Sequence, residues 1–420
     1  MRESSEHMAG MSKNISYLIL AQAFIYLAPL IILPYLTHTL GDESYGTYGF
    51  IQAIVQYFIL ITDYGFSITA TRLIAINSSH KAQVSSIVAN TIATKLLLAF
   101  LCAFLSLILL FISPTVRQHA DILMACFIGV LGNALFPTWL FQGLEKMRIL
   151  ALIICLSRII PLPFFFIWVH SADDVVMAAA LQNIPGIIAA AFSFYYAARH
   201  RLVAYAHIDT GSVVAMMKEG WAVFLSNMST SFYTTVNGIL IGAFAGKEQA
   251  AYFYATDKLR LAAQGFIQPV AAALFPRITA LSQDLESIHQ SRKLITKGTA
   301  LLVAIELICG LIMFFGAEII AKHYLGKDFA PASIYLKSLA FLPMIIALAT
   351  VVSQWRFQAL GYSVSLSKIY LVAGPLHSIY ATYLTYHYHT YGLISSLYVT
   401  EIGITLAMVF MLKIKKIPVF

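Results

Sequence analysis

Eight ionisable side chains lie where the sequence is otherwise apolar: the bases Lys95, Arg158, Lys258, Arg260 and Lys337, and the acids Asp63, Asp257 and Glu306. An ionised group at the centre of a hydrocarbon layer costs about 2.5–3.5 kcal/mol on insertion scales, so a chain keeps one there when it faces a partner or a wet cavity. Asp257, Arg260, Gln264 and Gln268 fall within roughly 80° of one helix face at about 3.6 residues per turn. Asp257 and Arg260 are three apart and can pair. Gln52, Gln56 and Asp63 form a second stripe, and Asn227, Thr230, Thr234 and Asn237 a third. Each stripe has two readings. One is a solvated lining, with Arg158 and Arg260 offering planar forks to phosphate oxygens and Lys95, Lys258 and Lys337 acting as point charges. The other is glue between helices, with Ser and Thr bonding to their own backbone. On this set the bases outnumber the acids, which suits an anionic ligand and not a cationic one. Asp63, Asp257 and Glu306 are the groups able to carry a proton or a sodium ion.

The elements that must hold these residues are membrane helices. Of 420 residues 60% are apolar and only 11% charged, against about a quarter charged in soluble domains. Continuous apolar runs of about 20 residues recur, each long enough to cross about 30 Å of hydrocarbon. They do not alternate, so a β-barrel is excluded. Twelve spans are expected, at 15–37, 47–69, 86–112, 119–141, 149–169, 175–197, 219–244, 250–275, 298–318, 333–355, 362–384 and 391–412. Counting Lys and Arg in the connections gives eighteen on the N-terminal side of the membrane and four (Arg117, Lys247, Lys322 and Lys327) on the other. The positive-inside rule then puts both termini in the cytoplasm. This split accounts for the net charge of +8 without a nucleic-acid partner. Residues 1–10 are polar and lack the apolar core of a signal peptide.

Two pairs of segments repeat at nearly constant offset. LGDESYGTYGF at 40–50 matches FAGKEQAAYFY at 244–254, pairing Gly41 with Gly246, and WLFQGL at 139–144 matches WRFQAL at 355–360. The expectation is an all-α membrane protein of two six-helix lobes, 12–205 and 212–420, related by a pseudo-twofold axis along the membrane normal. Cys102, Cys126, Cys155 and Cys309 read as small core residues. Trp139 and Trp355 read as members of an interfacial aromatic belt, with sugar stacking the alternative. His387 and His389 have no third ligand in sight, so no metal is expected. No phosphate-binding loop, HExxH or nucleophile elbow occurs, and the outer loops are too short for a catalytic domain.

The ordered segments LGDESYGTYGF, TDYGFSITATR (62–72), WLFQGLEKMR (139–148), GWAVFLSNMSTSFYTTVNGILIG (220–242) and AYFYATDKLR (251–260) resemble the Wzx-type O-antigen flippases. That group is related to MATE drug exporters and the lipid II flippase. Ala251 and Ala359 stand where the first half has Gly46 and Gly143. The resemblance implies a MATE-like transporter, not an enzyme, in the bacterial inner membrane. Its cargo would be an undecaprenyl-pyrophosphate-linked oligosaccharide, moved from the cytoplasmic to the periplasmic leaflet by alternating access. It implies no cofactor beyond a coupling H+ or Na+. A polysaccharide polymerase and a chain-length regulator are the implied partners beside the bilayer. A small-molecule exporter of the same fold and a membrane enzyme of polysaccharide assembly are the alternatives.

Overall fold

A computed structural model describes residues 2–283, 287–415 and 417, with side chains from Ile25 onward apart from Tyr26, Gln283 and Ile288. Lys416 and Phe420, on which the expected cytoplasmic C-terminus ends, lie outside the described residues. Among the described residues every regular element is helical. Eight helical runs are long and apolar enough to cross a membrane. Two of them, Leu27–Ile76 and Ser363–Ile414, have 50 and 52 residues, more than twice what one crossing needs. Each is broken by a residue with non-helical backbone, Gly41 (φ 70°, ψ −179°) and His389 (φ 50°, ψ −133°). Each therefore supplies two legs. Residues 210–283 are also helical, as Thr210–Thr234, Val236–Phe244, Lys247–Gln264 and Ile267–Gln283, but do not appear among those runs.

Two compact units organise the chain: Met1–Ala28 with Ile51–Met228, and Pro29–Phe50 with Ser229–Phe420. Residues 29–50 thus group with the second half of the sequence, and 212–228 with the first. In the first unit, helices Ala120–Leu135 and Pro185–Arg199 cross at paired glycines. A Cβ on Gly132 would stand 2.8 Å from the Gly186 Cα. Small residues at a crossing let membrane helices approach until backbone dispersion and polar contacts hold them. A core of Phe66, Ile74, Leu98, Trp139, Leu140, Phe141 and Leu150 fills the same unit. In the second unit, Trp355 packs with Ile267, Ala271, Ile295 and Leu302 and donates its indole N–H to the Ala271 carbonyl at 3.1 Å.

Both sequence repeats reappear as local geometry. Gly41 and Gly246 share an extended, left-handed backbone (φ 70° and 90°, ψ near 180°) open only to glycine. The helix ends after WLFQGL and WRFQAL close with the same 6→1 bond, Lys146 N–H to Phe141 O and Tyr362 N–H to Phe357 O. The residue that turns left-handed is Glu145 in one and Gly361 in the other, the position where helix C-terminal motifs favour glycine.

Candidate functional site

In the first unit, Lys95 on helix Lys81–Ile112 is only 2% exposed. Its Nζ lies 3.6 Å from Asp63 Oδ1, and Ser67 donates to the other Asp63 oxygen at 3.1 Å. Asp63 ends its helix just before the left-handed residues Tyr64 and Gly65, so the break in that run presents the carboxylate sideways to Lys95. Gln52 accepts a bond from Asn183 at 2.9 Å, and Asn133 bonds Thr62 and the Ile59 carbonyl. Gln56 is exposed and Asn227 half-buried. Arg158 sits on helix Met147–Ile159, half-buried, with no hydrogen-bond or ion-pair partner among the described residues. A guanidinium has five donors and cannot shed its charge, so Arg158 holds an uncompensated positive charge at a half-buried position.

In the second unit, helix Lys247–Gln264 carries the charged cluster. Arg260 donates Nε–H to Asp257 at 2.6 Å and Nη1–H to Gln264 at 2.7 Å, so three of the four stripe residues form one bonded chain; the helix ends at Gln264, and Gln268 falls on the next helix, Ile267–Gln283. Lys258, off the stripe as helix geometry requires, places its ammonium over the rings of Tyr45 (5.4 Å) and Tyr48 (5.8 Å), a cation–π contact. Gln268 accepts from Gln354 at 3.2 Å. Lys337 pairs with Glu318 at 2.7 Å, both substantially exposed. Glu306 is fully buried, and neither carboxyl oxygen has a hydrogen-bond partner. Asn237 belongs to a buried network: its Oδ1 accepts from His377 Nε2–H at 2.9 Å, and His377 bonds Thr400, which bonds Tyr380.

Three features escaped the sequence reading. Glu401 lies within the 391–412 span, close enough to Arg260, Tyr233, Tyr370 and Tyr380 to act on them electrostatically. Its position inside an apolar run was the available signal. With Asp121, Glu219, Glu318 and Lys368, which also fall inside the expected span bounds, it brings the in-span count to seven acids against six bases and removes the basic excess. His377 has no local pattern in the sequence that singles it out. Arg356, counted in the sequence among the eighteen bases of the connections, is 3% exposed and so buried within its unit. Trp139 and Trp355 are about 1% exposed or less. They are core anchors, neither belt residues nor a surface on which a sugar could stack, because each indole is enclosed by its own unit's apolar cluster. The four cysteines are free and buried or half-buried. No group of three metal-ligating side chains occurs among the described residues.

A polytopic helical protein whose kinked spans hold bonded charge clusters has the build of a membrane transporter. The fold agrees: the chain superposes on the inward-facing conformation of a multidrug resistance MATE family transporter of the MOP superfamily. The TM-score is 0.68 over 96% of this chain and 95% of that one, at 14% identity. The chain belongs to the family described as "Polysaccharide biosynthesis protein", whose pattern matches residues 11–282. It is 36% identical over 410 residues to a protein of Shigella dysenteriae, covering 97% of this chain and all of that one. It is 30% identical over 415 residues to one of Escherichia coli K12, covering 98% of each. Both carry the name "Putative O-antigen transporter".

Proposed function

We propose that this protein is a flippase. It moves an undecaprenyl-pyrophosphate-linked O-antigen or related oligosaccharide from the cytoplasmic to the periplasmic leaflet of a bacterial inner membrane, by alternating access through twelve spans with both termini cytoplasmic. Full-length similarity to relatives named as O-antigen transporters supports the cargo class. The observation in the structure that carries the reading is Arg158, a half-buried guanidinium without a counter-charge among the described residues, suited to a pyrophosphate. Arg260 is the second candidate, held ready by Asp257 and Gln264. Lys95 and Lys258 add positive field. Lys337, at its exposed pair, contributes least.

With no nucleotide-binding loop in the sequence, the driving force is a gradient or consumption of product outside. A headgroup of charge about −2 leaving a negative cytoplasm gains about 4–5 kcal/mol at a potential near 100 mV. An inward proton adds to this if Asp257 takes it, because Arg260 then loses one of its two bonded acceptors and turns to the cargo. Glu401 and Tyr398 also lie within electrostatic reach of Arg260. The test is deletion of the gene in its host. Lipid-linked oligosaccharide should accumulate and surface polysaccharide disappear, with restoration by the parent gene and none by Arg158→Ala inserted at normal level. Full restoration by Arg158→Ala removes that residue from the site. Unchanged polysaccharide in the deletion strain refutes the cargo.

The MATE-like fold alone would also serve a small-molecule exporter. In that case the deletion would alter drug sensitivity and leave polysaccharide intact.

A further inference from the structure

A second cationic site lies outside the apolar spans, in the first unit. A cavity of about 350 Å³ is lined by Ser78, Ser79, Lys81, Lys146, Arg201 and Leu202, with Val84 and Leu144. That is room for about ten waters. Three bases and two hydroxyls converge on it, and no acidic side chain lines it. None of the three bases takes part in an ion pair among the described residues. Glu145, next in sequence to Lys146, is exposed and likewise unpaired.

The site is held open by structure. The chain after helix Pro185–Arg199 turns through Arg201 in a left-handed conformation (φ 51°), with Leu202 N–H bonded to Ala197 O. The chain before Lys146 does the same through Glu145 (φ 55°). A non-glycine residue held left-handed costs of order 1–3 kcal/mol, which the surrounding contacts must cover. The 204–209 segment is then tied along helix Lys81–Ile112: Ala204 N–H donates to Ser85 Oγ at 2.8 Å and Asp209 N–H to Asn90 Oδ1 at 2.9 Å. These bonds fix the walls before any ligand arrives. Ser79 Oγ also contacts His80 Nδ1 at 3.0 Å, which orients that hydroxyl beside Lys81.

Helices Lys81–Ile112, Met147–Ile159 and Pro185–Arg199 all begin or end at this cavity, and the first runs directly into a membrane-spanning length. The cavity therefore sits where apolar span gives way to polar connection, the depth of lipid headgroups. We propose that it binds a phosphoryl anion: Lys81, Lys146 and Arg201 neutralise it and the Ser78 and Ser79 hydroxyls donate to its oxygens. Phosphate groups reach this depth on a lipid or free in solution, and the chemistry recognised is the same. This inference stands apart from the transport reading, because it concerns binding at equilibrium by residues outside the spans.

The test uses the full chain in detergent micelles and three calorimetric titrations: inorganic pyrophosphate, a water-soluble prenyl diphosphate, and micelles doped with phosphatidylglycerol against phosphatidylcholine. Parent protein is expected to bind at least one phosphoryl probe, more weakly as salt rises. The triple variant K81Q/K146Q/R201Q should lose on the order of a hundredfold in affinity. A control variant, K293Q/K297Q/K368Q, removes three bases elsewhere and should bind as the parent does. Should the triple variant fold poorly, S78A/S79A is the second probe, and it should weaken binding several-fold without altering thermal unfolding. Tighter binding of the prenyl diphosphate or phosphatidylglycerol than of pyrophosphate assigns the source to lipid, and equal binding assigns it to the free anion; both support the site. The proposal is overturned if the parent binds none of the probes, if the triple and control variants lose affinity equally, or if the triple variant and S78A/S79A both bind as the parent does.

Discussion

Replacing Asp63 by Asn isolates the energetics of the buried charge in the first unit. The carboxylate lies 3.6 Å from Lys95 Nζ, Lys95 is 2% exposed and Asp63 26%. At an effective dielectric near 20 two unit charges at that distance attract by about 4–5 kcal/mol. Removing one partner of a buried pair costs about 3–5 kcal/mol, because the remaining charge keeps its desolvation penalty. Asp63 is a quarter exposed, so water can approach, and the lower end applies: about 3 kcal/mol, or roughly a hundredfold in the unfolding equilibrium. Asn keeps the shape and can still accept from Ser67. Lys95→Met removes the other charge at similar length. The double variant should then lie within about 1 kcal/mol of the parent, since two apolar or neutral groups leave no orphaned charge. The assay is reversible unfolding in mixed micelles followed by tryptophan emission, to which Trp139, in the same cluster as Leu98, contributes. A loss below about 0.5 kcal/mol for Asp63→Asn, or a double variant as unstable as the sum of the singles, refutes the reasoning.

The other predictions are local. Gly132→Leu places a side chain against the Gly186 backbone and should cost at least the 1–3 kcal/mol typical of overpacking, whereas Gly403→Leu, whose Cβ meets nothing within 4 Å, should leave the thermal transition unchanged; equal effects would refute the crossing. Asp209 is fully exposed and accepts bonds from Ser212 Oγ, Ser212 N–H and Gly211 N–H, which hold its carboxyl below the ordinary 3.8. A depressed folded value means the turn before helix Thr210–Thr234 is fully stabilised above that ordinary value and loosens as pH falls through the lower one. Amide exchange at Gly211 and Ser212, corrected for intrinsic rate, should show this loss in the parent and not in Asp209→Ala; the same profile in both ends the argument. Glu401→Gln should lower the pH-gradient response of flipping without abolishing cargo binding, and an unaltered response removes Glu401 from coupling.

Residues with local consequences were legible in the sequence. Gly41 and Gly246 were paired by their surroundings, and the structure gives both the same glycine-only backbone. Asp257, Arg260 and Gln264 were placed on one face by periodicity and are bonded there. Long-range consequences were not legible. Nothing in WLFQGL or WRFQAL distinguishes an indole at the lipid interface from one enclosed in a core, because both prefer the same depth in the chain. Lys337 and Glu318 are 19 residues apart, and only the turn between their helices brings them together. The connection of Asn237 to His377 spans 140 residues. The grouping of residues 29–50 with 229–420 follows from packing, which a repeat in sequence does not encode.

The claim at the centre is that this chain moves a lipid-linked pyrophosphate oligosaccharide. Its most direct test is purified protein in sealed liposomes containing a fluorescent polyprenyl-diphosphate oligosaccharide, with membrane potential and pH gradient imposed separately and transbilayer movement read by an impermeant quencher. The account predicts movement that depends on the protein, is faster when the compartment receiving the headgroup is positive, and is abolished in Arg158→Ala although that variant still inserts and unfolds as the parent does. Movement at the rate of protein-free liposomes, under either gradient, would contradict it.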